Sequence, residues 1–255
     1  MRNDNQRLTT YEVQSQIYEM LDEISRIFRM NDINYVVSFG TLLGAVRHSG
    51  FIPWDDDADI HIWEKDFDRA MKSLDENMSK RYLLLDKTND FVTWEVEARL
   101  RDTKTILNGL PINASGANGI FIDFFKISEL SEFNRINYTL LKTLENNLHL
   151  KNKRSIRSLS LYLVSALMRP IVMALYLATD LLPIKKKYIL SDKWRKGLFE
   201  YDDIFPIKDI CFGKLILKAP SNIDKILTDM YGDYQKVPDV DERKYHFSDC
   251  YLNEC

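Results

Sequence analysis

The sequence predicts an α+β fold: a mixed sheet flanked by helices, with a helical insertion and a helical cap toward the C-terminal end. Three observations predict it. Runs of β-branched and aromatic residues at Ile33–Phe39, Asp57–Trp63 and Ile120–Ile127 read as strands, and apolar residues at helical spacing lie between them. The 255 residues are 45% hydrophobic and 29% charged, which supplies the core of one large domain or of a domain with an insertion. A basic and then strongly apolar tract within 131–187 departs from that pattern, and turn-rich segments resume after it. The expected organisation is therefore a core over 1–130, an insertion over 131–187, and a C-terminal segment over 188–255 that packs on the core.

Taken in order, Tyr11–Met30 puts Val13, Ile17, Met20, Leu21, Ile24 and Phe28 on one helical face. Ile33–Phe39 (INYVVSF) follows as a buried strand, and Gly40-Thr41 breaks it. Leu42–His48 has the spacing of a short helix, and Ser49-Gly50 and Pro53 turn the chain. Asp57–Trp63 is a second strand, Asp66–Lys80 a helix and Tyr82–Leu85 a short strand. Trp94–Leu100 alternates, with Trp94, Val96, Ala98 and Leu100 on one face and Glu95, Glu97, Arg99 and Arg101 on the other. A half-buried strand is the direct reading. Asn108–Gly119 reads as a loop, and Ile120–Ile127 (IFIDFFKI) as an almost continuously apolar strand. Leu140–Leu150 is helical. Leu159–Leu182 is apolar, broken by Arg169-Pro170 and flanked by basic residues in 151–157 and by Lys185–Lys187.

The chemistry concentrates in Gly40–Asp59. Asp55-Asp56-Asp57 alone would pass for a solvated acidic turn. Here it runs straight into an apolar strand, shortly after a Gly-Thr strand break. Side chains at i and i+2 of a strand share a face, so Asp57 and Asp59 are expected side by side. Their repulsion is relieved by a hard cation with oxygen ligands, most simply Mg²⁺, with Mn²⁺ as an alternative. Arg47 reads as a surface helix arginine or, since a guanidinium pairs with phosphate oxygens bidentately, as a phosphate clamp. Asp123 stands alone in an apolar strand and must be neutralised, hydrogen-bonded or metal-bound. Arg99 and Arg101 face phosphates or form internal salt bridges. His48 and His61 read as structural.

A strand, a Gly-Ser/Thr turn and an Asp-x-Asp strand together resemble the nucleotidyltransferase fold. The run GTLLGAVRHSGFIPWDDDADI, Gly40 to Ile60, resembles the defining motif of the LicD family, to which fukutin-related protein is a distant relative. The resemblance covers roughly 15–130 and 190–248, the latter through Phe205-Pro206, Phe212-Gly213, Ala219-Pro220 and Tyr231-Gly-Asp-Tyr234. It implies a transferase moving phosphocholine from CDP-choline to a sugar hydroxyl of a bacterial surface glycan (capsule, teichoic acid or lipopolysaccharide), with release of CMP. Glycerol-phosphate or ribitol-phosphate transfer, or a non-catalytic glycan-binding relative, is the alternative. On this resemblance Asp57, Asp59 and Asp123 hold metal, and Gly40 and Thr41 approach the donor's phosphates together with Arg47 and Arg101. Asp123 or Asp55 takes the acceptor's proton. If the donor carries choline, Trp54 offers its quaternary ammonium an aromatic face, with Trp94 and Tyr234 as further candidates.

Net charge is −3, so no nucleic-acid partner is expected. Cys211, Cys250 and Cys255 lack paired spacing and read as reduced thiols. Residues 1–10 are polar, and no secretory signal is expected. The expected location is cytoplasmic, or peripheral on the inner face of the cytoplasmic membrane, with a glycan or lipid-linked glycan as acceptor. Residues 159–182 fit three readings: a buried helical pair kinked at Pro170, a membrane-surface hairpin whose basic flanks grip anionic lipid, or a true span.

Overall fold

The structure is a computed structural model that describes residues 6–86, 96–108, 118–148, 156–190, 198–243 and 249–253. The chain divides into two compact units. One comprises Met1–Ser128, Ser191–Gly197 and Asp202–Cys255, and the other Glu129–Leu190 and Leu198–Tyr201.

The larger unit opens with β1 (Arg7–Leu8) and α1 (Thr10–Met30). Thr9 caps α1 reciprocally: its hydroxyl accepts from the Glu12 N–H at 3.3 Å, and the Glu12 carboxylate accepts from the Thr9 N–H at 2.7 Å. The apolar face expected of α1 is buried throughout. β2 (Tyr35–Val37) and α2 (Phe39–His48) follow, then β3 (Ala58–Trp63), α3 (Glu64–Asn77), β4 (Tyr82–Asp86), β5 (Ala98–Asp102), β6 (Thr105–Asn108) and β7 (Phe121–Leu130).

Five of these strands lie in the order β2-β3-β7-β5-β4. β3 and β7 run parallel, and the other neighbours are antiparallel, so the sheet is mixed. The strand expected over Ile33–Phe39 stops at Val37, because helical backbone starts at Phe39, before the Gly-Thr pair. β5 differs more. All five of its residues are buried, so the strand is not half-exposed: Arg99 and Arg101 find partners inside the protein. Trp94 and Glu95 lie outside the described residues.

The smaller unit holds α4 (Glu132–Leu148), α5 (Ile156–Asp180), β8 (Tyr188–Leu190) and β9 (Leu198–Glu200). α5 is one helix with Pro170 inside it, not a pair divided there. Only 11% of its apolar stretch, Arg157–Thr179, is buried, which overturns the reading of this tract as buried core. By length and composition α5 is the one described helix that could cross a membrane.

The chain then returns to the larger unit. After the short α6 (Tyr201–Ile204) come β10 (Lys208–Phe212), β11 (Leu215–Ala219), α7 (Ile223–Tyr231) and β12 (Asp249–Leu252). α7 is the helical part of the expected cap. The β10–β11 hairpin ahead of it turns at Gly213, whose φ of 59° suits glycine. β12 pairs with both β1 and β6, a small sheet that joins distant parts of the sequence.

Candidate active site

The site forms where β3 begins beside the start of α2. Ser38 is extended (φ −142°) and donates its N–H to the Asp59 carbonyl at 3.1 Å. Phe39 then takes φ 46°, a left-handed conformation that a non-glycine residue holds only when its surroundings impose it. Its ring is held by His61 and Phe125, each with its centroid 5.4 Å away. One residue later, a Cβ on Gly40 would lie 2.5 Å from Asp55 Oδ2, so glycine lets the helix start approach the acidic run. Thr41 is buried, and its hydroxyl accepts from the Asp59 N–H at 2.9 Å. The Gly-Thr pair thus clamps α2 onto β3. Ser38 Oγ, buried at the head of α2, has no hydrogen-bond partner among the described residues.

The aspartates do not divide by strand parity as expected. β3 begins at Ala58, so Asp55, Asp56 and Asp57 are not pleated. Their carboxylates gather with ligand atoms within 4.8 Å of one another, and Asp56, given no role by strand parity, belongs to the group. Asp59 lies next to them inside the strand. Burial, then the charges of Asp57, Asp123 and Asp55, push its pKa well above the usual carboxylate range, and Arg99 opposes the rise. The set offers only carboxylate oxygens and an excess of negative charge, so it fits a hard divalent cation.

Register brings Asp123 in from far along the chain. Asp59 on β3 lies opposite Asp123 on β7, and Asp123 opposite Arg99 on β5. Arg99 Nε and Nη2 donate to the two Asp123 oxygens at 2.5 and 2.7 Å, and its guanidinium carbon lies 3.9 Å from the Phe121 ring centroid. The lone carboxylate of this apolar strand therefore has a protein cation. Arg101 is also buried, and donates Nη1 to Asn118 Oδ1 at 3.0 Å.

Arg47 is turned toward the C-terminal segment. Its Nη1 donates to the carbonyls of Tyr234 and Lys236 at 3.0 and 3.2 Å, and its Nε to His48 Nε2 at 3.0 Å. Those bonds secure the chain just after α7, whose last residue, Tyr231, faces the carboxylates. Burial of its hydroxyl, then the charges of Asp59, Asp55 and Asp57, push the Tyr231 pKa up. The sequence placed Tyr231 in the resembling C-terminal segment but gave it no role in the site, because nothing local marks it as a neighbour of the acidic run. Trp54 is half-buried beneath the Arg243 guanidinium, whose carbon lies 4.1 Å from its ring centroid. The aromatic face proposed for a ligand cation already carries one. His61 is fully buried on Phe125, and burial lowers its pKa to about 3, so it stays neutral. Trp94 lies outside the described residues.

Comparison with known proteins agrees with this geometry. The sequence profile described as LicD/FKTN/FKRP, nucleotidyltransferase domain, matches residues 32–157, which include β3 and its acidic run, β5 and β7. The chain is 25% identical over 282 aligned positions to the lipopolysaccharide cholinephosphotransferase LicD of Haemophilus influenzae, with 96% of this chain and 99% of that protein covered. Uncharacterized proteins of Rickettsia prowazekii and Rickettsia typhi are each 46% identical over 50 residues, 20% of this chain and 19% and 16% of theirs. Residues 32–157, from the larger unit into the first part of the smaller one, match the nucleotidyltransferase domain of the LicD family.

Proposed function

We propose that the protein is a metal-dependent phosphotransferase that moves phosphocholine from CDP-choline to a sugar hydroxyl of a bacterial surface glycan, releasing CMP. The observation that carries this reading is the buried carboxylate cluster at the start of β3, facing the head of α2. End-to-end similarity to a cholinephosphotransferase supports the choice of donor.

Asp55, Asp57 and Asp59 would hold Mg²⁺ (or Mn²⁺), with Asp56 beside them. When bound, the metal would neutralise the donor's diphosphate and lower the acceptor hydroxyl's pKa. Phosphoryl transfer otherwise demands little but positioning and charge. Ser38 Oγ and the backbone N–H groups opening α2 suit phosphate oxygens, since a helix start carries partial positive charge. Arg99 holds the Asp123 carboxylate in place through two hydrogen bonds. The acceptor oxygen attacks the phosphorus that bears choline, the bond to the cytidylate oxygen breaks, and CMP leaves. The proton passes to Asp123 or Asp55. Trp54 receives the quaternary ammonium once Arg243 swings off its face.

The test is CMP release from CDP-choline, CDP-glycerol, CDP-ribitol and CDP-ethanolamine, each with Mg²⁺ or EDTA and a surface-glycan extract as acceptor. CDP-choline should be preferred, and EDTA should abolish turnover. Asp57→Asn and Asp59→Asn should each lose at least about a hundredfold in kcat. Activity that survives EDTA, or full activity in both variants, overturns the mechanism. Preference for the glycerol or ribitol donor overturns the choice of choline.

A further inference from the structure

We propose that the α4–α5 hairpin is a membrane-docking element that lies along an anionic bilayer surface with the outward side of α5 in the lipid. The observation is an inverted helix pair. α5 turns Ser158, Tyr162, Ser165, Arg169, Val172, Met173, Tyr176 and Thr179 inward, a seam recurring every three to four residues that carries its polar side chains together with Val172, Met173 and two tyrosines. Thr179 bonds to Asn134 on α4, and Asn137 Nδ2 donates to Thr179 Oγ1 at 3.4 Å, so the end of α5 lies against the start of α4 and the pair is antiparallel.

The outward side of α5 is the apolar one. Leu159, Leu163, Leu167, Ile171, Leu175 and Leu177 are all exposed, Leu167 by 70%. α4 adds a stripe of Phe133, Ile136 and Leu140, also exposed. In water, amphipathic helices bury the apolar face and show the polar one. The reverse suits hydrocarbon, where small and polar side chains hold helices together and apolar ones face the solvent, which is lipid.

Charge identifies the kind of membrane. Arg157 stands exposed at the start of α5, and Lys185 and Lys187 are exposed beyond its end. Lys151, Lys153 and Arg154 add three positive charges to the sequence just ahead of the helix. Basic residues at both ends of an apolar face attract anionic headgroups.

The topology favours lying flat. The Lys187 N–H donates to the Leu130 carbonyl at 2.8 Å, so the chain enters and leaves the hairpin at one place. A crossing by α5, about 37 Å long at 1.5 Å per residue, would carry α4 across with it. α4 includes Glu132, Arg135, Lys142 and Glu145, a composition for water and not for hydrocarbon.

The experiment floats the full-length protein with vesicles of pure phosphatidylcholine or of phosphatidylcholine mixed with phosphatidylglycerol, at low and physiological salt. The protein should float with the mixed vesicles and much less with the pure ones. Leu163→Glu/Leu167→Glu/Ile171→Glu should cut the bound fraction at least about tenfold, and Lys185→Glu/Lys187→Glu should erase the preference for anionic lipid. A dye on Leu167→Cys, in a Cys211→Ser/Cys255→Ser background, reads insertion without added charge. Quenching by brominated lipid supports the proposal, and unchanged emission overturns it. Wild-type protein that ignores both vesicles, or triple-variant protein that binds like wild type, also overturns it. So does a wild-type dimer in light scattering that the triple substitution splits while vesicles capture neither form, since the face then covers a second copy.

Discussion

The Arg99–Asp123 pair makes the sharpest test of how the site is built. Arg99→Met keeps most of the apolar stem but removes both donors, leaving Asp123 buried opposite Asp59. The two side chains are 10% and 8% exposed, so water compensates little. Breaking a buried pair by removing one partner costs about 3–5 kcal/mol, because the remaining charge is left uncompensated. At about 2–4 °C per kcal/mol for a chain of this size, the melting temperature in EDTA should fall by roughly 6–20 °C. Asp123→Leu in the same background removes the stranded charge and should restore most of the loss, giving a strongly non-additive cycle. The assay is thermal unfolding followed by circular dichroism, first in EDTA and then across a Mg²⁺ titration. If the carboxylates hold the ion, Mg²⁺ should stabilise Arg99→Met more than wild type, because the extra negative charge tightens binding and binding adds to stability. A loss below about 3 °C in EDTA, or an additive double variant, would refute the assignment of Arg99 as the internal counter-ion.

Two further outcomes follow from the site. His61 is neutral in the folded protein with a pKa lowered to about 3, so the unfolded chain binds its proton first as pH falls. Stability contributed by the neutral ring is complete above about 6.5 and is lost as pH falls toward 3, reaching about 2 kcal/mol by pH 5. Urea titrations should show a shallower loss between pH 7 and pH 5 for His61→Leu, and an unchanged slope would exclude His61 as a source of acid sensitivity. Trp54→Leu removes an aromatic face worth about 0.5–2 kcal/mol to an ammonium, so KM for CDP-choline should rise roughly two- to thirtyfold with Mg²⁺ affinity unchanged. Arg243→Ala should lower that KM by freeing the ring; initial-rate kinetics on both variants check the pair, and no change in either removes Trp54 from donor binding.

Much of the site was legible because its signals are local. The apolar face of α1, the strand that became β3, and the Gly-Thr break all lie in windows short enough for periodicity and turn chemistry to show. Asp59 could be read from its place inside a strand. Asp56 received no role because strand parity paired Asp57 with Asp59; pleating starts only at Ala58, and the segment before it gathers three consecutive carboxylates. The β10–β11 hairpin went unread although Leu215, Leu217 and Ala219 alternate with more open neighbours. Phe39's left-handed backbone has no local signal, since it is imposed by rings of β3 and β7.

The sequence by itself determined that an acidic run meets a strand beside a helix start, that Asp123 needed a partner, and that an apolar tract with basic flanks interrupts the chain. Those follow from composition and spacing over a few residues. Only the tertiary structure decided who the partners are. Strand register, a non-local property, set Asp59, Asp123 and Arg99 in one row across β3, β7 and β5. Tertiary packing also turned Arg47 onto the segment after α7 and Tyr231 toward the carboxylates. In α5 the sequence shows apolar and polar residues together, but the packing of α4 against the seam that holds Ser158, Ser165 and Thr179 decided which side faces outward.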